Sequence, residues 1–331
     1  MEEIEKRDYL FDNIKVLLIF LVVFGHAIEY YIDDNFILRA IYITIYFFHM
    51  PLFVFVSGYF SNNLEKCRKT AFEKLLVPFI IFDILWYLFL SLTSHKLVFD
   101  FLTPGFALWY LICLFVWRLF LSDLIKLRHI LLISITWGVL AGLVGSIGIS
   151  LSLSRIVCFL PFFLAGYYFN KEKVNKIKKL PAIIPMLFLL LLISIAFYIT
   201  LTDQIDYKIL YMSDPYISFD IGIVKGFLFR ILIYIIAFSS ILLIKLVPSK
   251  KNILTYIGKI TLTIYIFHTY FIEILRILIP KWNANITSNI IILILPLILV
   301  LLISTKPFDA LYMFIETSFK RLFFKHRYIK S

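Results

Sequence analysis

The sequence predicts an all-α protein: a polytopic membrane helical bundle of about ten transmembrane helices, with the N and C termini cytoplasmic. Hydrophobic residues make up 62% of the 331 positions and charged residues only 16%, and the mean hydropathy is +0.94. Apolar runs of roughly 20 residues, enough for a helix to cross about 30 Å of hydrocarbon, recur along the whole chain. The period-2 alternation of a membrane β-barrel is not seen, so helices are expected to satisfy the backbone in lipid.

Charged segments and segments with Pro or Gly divide the chain into ten candidate spans. Spans one, two, three and nine are apolar but carry ionisable residues, whereas most of the others contain charge-free runs. The candidate spans are residues 14–32, 37–60, 72–94, 104–121, 130–148, 155–170, 180–201, 221–245, 260–279 and 286–304.

Basic residues are concentrated in alternate connections between the spans, so that most of the 33 lie on one side of the predicted bundle. The positive-inside rule places that side in the cytoplasm. The net charge of +12 follows from this distribution, and no nucleic-acid partner is expected. We predict an integral-membrane domain over 1–305 and a cytoplasmic amphipathic basic tail over 306–331. The basic segments are the N-terminus, the second, fourth, sixth and eighth connections, and the tail.

The first span carries three ionisable side chains. Lys15 and His26 are eleven residues apart, which places them on one helix face about 16 Å apart along the axis. Glu29 follows three residues later and shares roughly that face. Ionisable groups are costly in hydrocarbon and normally face a cavity or a partner. The pattern therefore indicates a polar site at the depth of His26.

Two further histidines lie in spans at a similar depth. His49 lies about eleven residues from the predicted cytoplasmic end of span two, and His268 lies nine residues past Lys259, about 13 Å deep. Arg155 opens span six, and Arg230 lies inside span eight. These positions predict that residues of several spans meet around one site.

Structural roles explain some of these residues equally well. The alternative for Lys15 is a snorkelling anchor, and for Arg155 a residue that only marks the end of a span. The alternative for His49, which precedes Met50 and Pro51, is a bond to a carbonyl that the proline leaves free, and for His268 it is a contact between helices. A three-histidine zinc site has no supporting carboxylate, and no metal is expected. The three scattered cysteines are interpreted as packing residues.

The residues match a known family in order and spacing. The sequence resembles acyltransferase family 3 of integral-membrane O-acyltransferases, on the branch that is similar to fucose 4-O-acetylase. The most specific feature is a basic residue, ten residues and a histidine, here Lys15 and His26. The resemblance covers residue 7 to about 270. The matching pieces are "RDYLFDNIKVLLIFLVVFGHAI", "FFHMPLFVFVSGYF", "KLLVPFIIF", "LWYLICLF", "SRIVCFLPFFLAGYYF" and "GKITLTIYIFHTY".

The resemblance implies about ten membrane helices, a cytoplasmic acyl-CoA donor (acetyl-CoA first among the candidates) and a hydroxyl acceptor on a carbohydrate or a lipid-linked glycan. It assigns His26 as the catalytic residue, Lys15 as its basic partner and Arg155 as a further functional residue. It also implies a bacterial cytoplasmic membrane and proteins of polysaccharide biosynthesis as partners. Many members carry paired arginines before the third span, where this chain has Arg68, Lys69 and Lys74.

The chemistry of these residues suggests a role for each. Basic side chains at the cytoplasmic mouth are expected to bind the phosphates of the donor. His26 is expected to take the proton of the attacking hydroxyl, with Glu29 orienting the imidazole. Other residues are candidates for substrate binding, with the two remaining span histidines as donors to the developing oxyanion. The donor-binding candidates are Lys15, Arg68, Lys69 and Lys74, and the substrate-binding candidates are Arg155, Arg230, His49 and His268.

Two other functions fit a charged cavity inside a helical bundle. An exporter or flippase of a polysaccharide or lipid-linked sugar would use such a cavity for passage, although the inverted repeats frequent in transporters are not found in the sequence. A glycan polymerase or another glycosyltransferase would rely on charged groups in a large external loop. The largest external loop predicted here is only about 203–220.

Overall fold

A computed structural model describes residues 9–323 except 101, 146, 147, 149, 220 and 279–285, and the side chains of 286–289 and 322–323 are also outside it. Within these limits every regular element is helical, which confirms the predicted fold class. The part of the predicted basic N-terminus before Tyr9 and the part of the predicted basic tail after Phe323 lie outside the described residues. In chain order the α-helices are α1 (Tyr9–Ile28), α2 (Phe36–Tyr46), α3 (His49–Tyr59), α4 (Leu64–Ala71), α5 (Val77–Ser94), α6 (Trp109–Leu124), α7 (Ile130–Leu140), α8 (Leu153–Tyr167), α9 (Lys171–Lys179), α10 (Ile183–Thr202), α11 (Ile223–Ser239), α12 (Thr261–Leu278), α13 (Ile286–Ile303) and α14 (Lys306–Phe323).

The number of spans is smaller by length and composition than the sequence predicts. Seven helices of the described part are long and apolar enough to cross a membrane, or up to eight if the pair α13 and α14, bent by 61°, counts as one span. The predicted fourth and fifth spans contain the shorter helices α6 and α7. The chain is thus a multi-pass membrane protein, while the count of ten and the cytoplasmic termini stay predictions.

The second span contains a break that positions a histidine. Pro51 has no N–H, and its ring crowds the carbonyl four residues earlier, so it favours a kink or a break in the helix at this point. The chain accordingly ends α2 at Tyr46 and begins α3 at His49. His49 Nδ1 then lies 2.9 Å from the carbonyl oxygen of Ile45. The break therefore holds the His49 ring at the junction of the two helices.

The third span is longer than predicted because it is continuous with the preceding basic helix. A π-helical turn over Phe72–Leu76 joins α4 to α5 and carries Lys74. Such turns widen the helix and are frequent at functional sites. In contrast, the fourth span is shorter than predicted, since its helix begins only at Trp109. Phe106 has a left-handed backbone (φ 39°), which cannot continue a helix.

Two glycines allow helices α3 and α8 to pack backbone to backbone. A Cβ atom at Gly58 would lie 1.9 Å from the carbonyl oxygen of Phe163, and one at Gly166 would lie 1.9 Å from that of Phe55. Small residues at a helix crossing allow this close approach inside a membrane. The crossing fixes α8, which carries Arg155, against α3, which carries His49.

We predict that Gly166→Ala lowers the midpoint of thermal unfolding in detergent. The added methyl group meets backbone that cannot yield as a flexible side chain would, and overpacking of this kind costs about 1–3 kcal/mol. The matched control is Gly145→Ala, because a Cβ atom at Gly145 has nothing within 4 Å. Equal midpoints for the two variants would show that the crossing is not close-packed.

Candidate functional site

A cavity of about 170 Å³ lies among α1, α3, α8 and α12, and we call it the histidine cavity. Aromatic rings and polar groups share its wall, a composition typical of small-molecule sites. Four of the residues that the sequence singled out lie here together. The lining residues include His26, Glu29, His49, Arg155, Tyr46, Phe106, Ala107, Trp109, Tyr211 and Tyr265.

His26 is paired with a carboxylate. Its Nδ1 lies 3.4 Å from Oε2 of Glu29, one turn further along the chain. An ionised carboxylate only accepts hydrogen bonds, so Nδ1 is the ring nitrogen that carries the proton. The Nε2 atom of the neutral ring is then an unprotonated acceptor. A ring in this state can take a proton from another molecule at Nε2.

The Glu29 carboxylate joins four parts of the chain. Oε2 also accepts from Arg276 Nη2 at 3.0 Å, which brings α12 to α1. Oε1 accepts from the hydroxyls of Tyr42 on α2 (3.3 Å) and Tyr211 (3.4 Å). The guanidinium beside Glu29 supplies the counter-charge that a carboxylate in a low-dielectric interior requires. Neither Tyr42 nor Arg276 was singled out as a site residue from the sequence.

His49 and His268 have the same ring orientation as each other. Each Nδ1 faces the carbonyl oxygen four residues earlier, Ile45 at 2.9 Å and Ile264 at 3.1 Å. A carbonyl only accepts, so the proton lies on Nδ1 and each neutral Nε2 is an acceptor. The carbonyl that Pro51 leaves free is that of Phe47, so the bond from His49 to Ile45 is not the one that the structural alternative predicts. In this tautomer Nε2 of either ring cannot serve as the expected donor to an oxyanion.

His268 packs against His26 and is absent from the lining residues of the histidine cavity. Its ring is fully buried and stacks on the His26 ring, with centroids 5.6 Å apart and planes at 30°. Its Nε2 is buried and has no hydrogen-bond partner among the described residues. The His268 ring therefore supports the His26 ring by stacking and makes no hydrogen bond at Nε2 with the described residues.

Arg155 is the one arginine or lysine among the described residues that line the histidine cavity. Its guanidinium lies 4.8 Å from the centroid of the Trp109 ring, and its Nε donates to the carbonyl of Tyr211 at 3.4 Å. The remaining N–H groups of the fork are donors with fixed geometry. Arg155, rather than either of the two histidines, is thus placed to stabilise negative charge in this cavity.

Arg230 lies at a different place in the bundle. Its side chain is fully buried, with Nη1 2.7 Å from Sγ of Cys158 and the guanidinium 5.5 Å from the Tyr216 ring centroid. It does not line the histidine cavity, because its position on α11 directs it towards Cys158 on α8. The structure therefore does not bring Arg230 together with the other predicted substrate-binding residues.

A second cavity of about 330 Å³, which we call the basic cavity, is lined by Lys15, Lys74 and Arg118. Lys15 is partly neutralised by Asp12, whose Oδ1 lies 3.1 Å from Nζ. Arg118 Nε is buried and has no partner among the described residues, so it needs an acceptor. Sequence reasoning missed Arg118 as a site residue; its position just after the charge-free run 101–117 was the available signal.

Arg68 and Lys69 lie on the exposed side of α4. Arg68 Nη1 is 3.5 Å from Asp123, and Lys69 Nζ is 2.5 Å from Glu65. Neither residue lines the basic cavity. Of the four predicted donor-binding residues, the structure thus brings two together, Lys15 and Lys74. The described residues contain no group of three or more His, Cys, Asp or Glu side chains arranged to hold a metal ion.

Comparison with known proteins finds one family and two partial relatives. The family described as an acyltransferase domain matches residues 8–305. Nodulation protein NolL of Sinorhizobium fredii (strain NBRC 101917 / NGR234) is 40% identical over 83 residues, which cover 22% of this chain and 23% of that protein. Nodulation protein NolL of Mesorhizobium japonicum (strain LMG 29417 / CECT 9101 / MAFF 303099) is 47% identical over 60 residues, which cover 17% of this chain and 16% of that protein. The chain thus matches less than a quarter of either relative's length, and no solved structure matches.

We predict that Arg276→Gln destabilises the protein more than Lys176→Gln does. Arg276 and Glu29 are only 21% and 29% exposed, whereas Lys176 and its partner Glu172 are 72% and 70% exposed. Exposed ion pairs are worth about 0–1 kcal/mol, while losing one partner of a buried pair costs about 3–5 kcal/mol, and this partly buried pair should fall between. Thermal unfolding in detergent measures the difference.

The double variant Arg276→Gln with Glu29→Gln provides the control for that prediction. Removing both charges leaves neither member of this pair facing an uncharged partner, so the double variant should be more stable than the sum of the two single losses predicts. Strictly additive losses would contradict a direct interaction between the two side chains.

Proposed function

Because this chain belongs to the acyltransferase family whose domain covers residues 8–305, we propose that it moves an acyl group from acyl-CoA to a carbohydrate hydroxyl, with His26 as the general base. The observation that carries this proposal is the His26 ring on the wall of a cavity, with Nδ1 facing the Glu29 carboxylate, an arrangement from which we infer that Nε2 is the unprotonated nitrogen. Imidazole suits this role because it exchanges a proton near neutral pH.

The proposed reaction is a direct transfer. His26 Nε2 takes the hydroxyl proton as the hydroxyl oxygen attacks the carbonyl carbon of the thioester. The new C–O bond forms, and the C–S bond breaks when the tetrahedral intermediate collapses. The imidazolium then gives its proton to the leaving sulfur, which departs as the thiol of coenzyme A. Glu29 holds the ring and stabilises its charge between the two proton transfers.

Arg155 and His49 have different roles in this proposal. The Arg155 guanidinium stabilises the oxyanion, since it is a fixed donor in a small cavity where a charge-assisted bond is strong. His49 Nε2 accepts a hydrogen bond from the acceptor substrate, because its own proton is on Nδ1. His268 acts as a positioning residue behind His26.

The basic cavity is the proposed site for the donor, with acetyl-CoA as the first candidate. Lys74 and Arg118 together with Lys15 supply positive charge for the phosphates of coenzyme A. The excess of basic residues at this end of the bundle supports its placement in the cytoplasm. We include Arg118 in the donor site and assign Arg68 and Lys69 to the exposed surface beside it.

A carbohydrate or a lipid-linked glycan is the proposed acceptor. Sugar rings present C–H faces and hydroxyl edges, and the histidine cavity offers aromatic rings (Trp109, Tyr46 and Tyr211) beside charged groups (Glu29 and Arg155). An aromatic wall with a few polar groups provides both contact area and orientation. In this proposal the protein lies in a bacterial cytoplasmic membrane and acts beside proteins of polysaccharide biosynthesis.

The test of the proposed function is acyl-CoA turnover by the purified protein in nanodiscs. Free thiol is measured with acetyl-CoA and candidate glycans, and we expect release that depends on the glycan. His26→Ala should reduce this rate by about 10²–10⁴-fold, the usual contribution of a general base. Glu29→Gln should also reduce the rate of thiol release, because the amide cannot stabilise the charge of the imidazolium. The reduction should be smaller than for His26→Ala, because the amide still contacts the ring.

His129→Ala is the matched control for the histidine substitution, since His129 lies at the start of α7 and lines neither cavity. Loss of turnover only in His26→Ala supports the proposal. Equal turnover in the two variants would remove His26 as the base. Absence of turnover with acetyl-CoA and succinyl-CoA in the wild type, together with transport of a lipid-linked sugar, would favour the exporter.

We predict that Lys74→Gln and Arg118→Gln raise KM for acetyl-CoA by about 10–100-fold. A hydrogen bond to a charged group is worth about 1.5–3 kcal/mol, and each 1.4 kcal/mol is tenfold in affinity. Arg68→Gln and Lys69→Gln are the matched controls and should change KM little, because both side chains are paired on the exposed surface. The reverse order of effects would move the donor site to the outer face of α4.

A further inference from the structure

The histidine cavity and the basic cavity meet at one side chain. Tyr265 is the only described residue that lines both. It lies one turn before His268 on α12, and the residue is 4% exposed. A thioester held in the basic cavity must therefore pass Tyr265 before its carbonyl carbon reaches His26.

Tyr265 makes contacts on both sides of this boundary. Its hydroxyl donates to the carbonyl oxygen of Ala107, a residue that lines the histidine cavity. On the basic side, its ring packs edge-on against Tyr110, with centroids 5.6 Å apart. The Tyr110 hydroxyl in turn bonds Ser57, which also lines the basic cavity. The ring and its two contacts thus span the space between α12 and α3.

The partner of Tyr265 is a buried, non-helical segment, residues 104–108, that we call the plug. Phe106 has φ 39°, a left-handed conformation that a bulky side chain adopts only at a cost in free energy. Its ring lies 4.7 Å from the His26 ring and 5.2 Å from the Arg276 guanidinium. The Gly105 N–H donates to Asp83 Oδ1 at 2.7 Å, which anchors the plug to α5.

The plug and Tyr265 therefore separate the donor side from the base. Phe106 packs on His26, and the next residue receives the Tyr265 hydroxyl, so one hydrogen bond links the catalytic ring to the boundary. In this arrangement the plug and the Tyr265 bond to Ala107 close the space between the two cavities.

We propose that Tyr265 and the plug form a barrier that couples donor entry to acyl transfer, and that Tyr265 is a positioning residue which protects the thioester from water. The proposal rests on the proposed function, because it needs a thioester donor in the basic cavity. With the barrier open and no acceptor bound, the oxygen of water forms a C–O bond with the thioester carbonyl carbon and the C–S bond breaks. The acyl group leaves as a free carboxylic acid, and the proton lost by water passes to the departing sulfur, which becomes the thiol of coenzyme A.

The first experiment measures this uncoupled hydrolysis with acetyl-CoA and no acceptor. Tyr265→Phe removes the bond to Ala107 and should raise thiol release by up to about tenfold, the equivalent of one hydrogen bond. Tyr270→Phe is the matched control on the same helix, because its hydroxyl donates to the Phe82 carbonyl at 3.2 Å and it lines neither cavity. Equal hydrolysis in wild type and both variants would overturn the proposal.

The second experiment does not depend on activity. A thiol introduced by Ser57→Cys lies in the basic cavity, and a charged methanethiosulfonate reagent is applied to one side of oriented proteoliposomes at a time. With Tyr265 present, labelling should occur from the basic side only. With Tyr265→Ala added, labelling should occur from both sides. The unsubstituted protein is the background control, since its three cysteines are buried.

The outcomes separate this proposal from the proposed function. Labelling from both sides with Tyr265 present, or from one side with Tyr265→Ala, would overturn the barrier even if acetyl-CoA is turned over. Labelling that is one-sided with Tyr265 and two-sided with Tyr265→Ala would support the barrier. If the same protein shows no His26-dependent thiol release, acyl transfer by His26 would be overturned.

Discussion

The rest of the site depends on the hydrogen bonds and ion pairs of the Glu29 carboxylate. A negative charge inside a membrane bundle is costly unless donors and a counter-ion surround it. Glu29 accepts from His26, Arg276, Tyr42 and Tyr211, and so it draws α1, α2, α12 and the Tyr207–Tyr211 turn to one point. The same contacts orient the imidazole, since an ionised carboxylate leaves only one choice for the ring proton. Stability and reactivity thus arise from one set of bonds.

Backbone carbonyls set the chemistry of the two remaining histidines in the bundle. His49 and His268 each turn Nδ1 towards the carbonyl four residues earlier, so their Nε2 atoms accept rather than donate. This removes both rings from the oxyanion-stabilising role and leaves Arg155 as the cation of the histidine cavity. Proton positions that follow from acceptor chemistry therefore separate His49 and His268 from Arg155, although the sequence grouped all three as candidates for substrate binding.

The cluster of basic side chains and the His26–Glu29 pair lie in different cavities of the bundle. The basic cavity holds Lys15, Lys74 and Arg118, while the histidine cavity holds aromatic rings and the His26–Glu29 pair. Tyr265 and the plug stand between them. Such a division suits the proposed reaction, whose donor is a large anion and whose acceptor is a neutral hydroxyl. In that proposal the donor enters at one side of the membrane and the acceptor at the other, with no continuous path between them.

The sequence by itself determined the fold class, the family and the proximity of His26 to Glu29 one turn later. Helical periodicity fixes the relation of residues on one helix, so these inferences needed no tertiary information. Only the tertiary structure decided which residues of different helices meet. It placed Arg118 beside Lys74, left Arg68 and Lys69 on the exposed surface, and directed Arg230 to Cys158. The physical reason is that helix rotation and depth follow from packing, such as the Gly58 and Gly166 crossing, which composition does not specify.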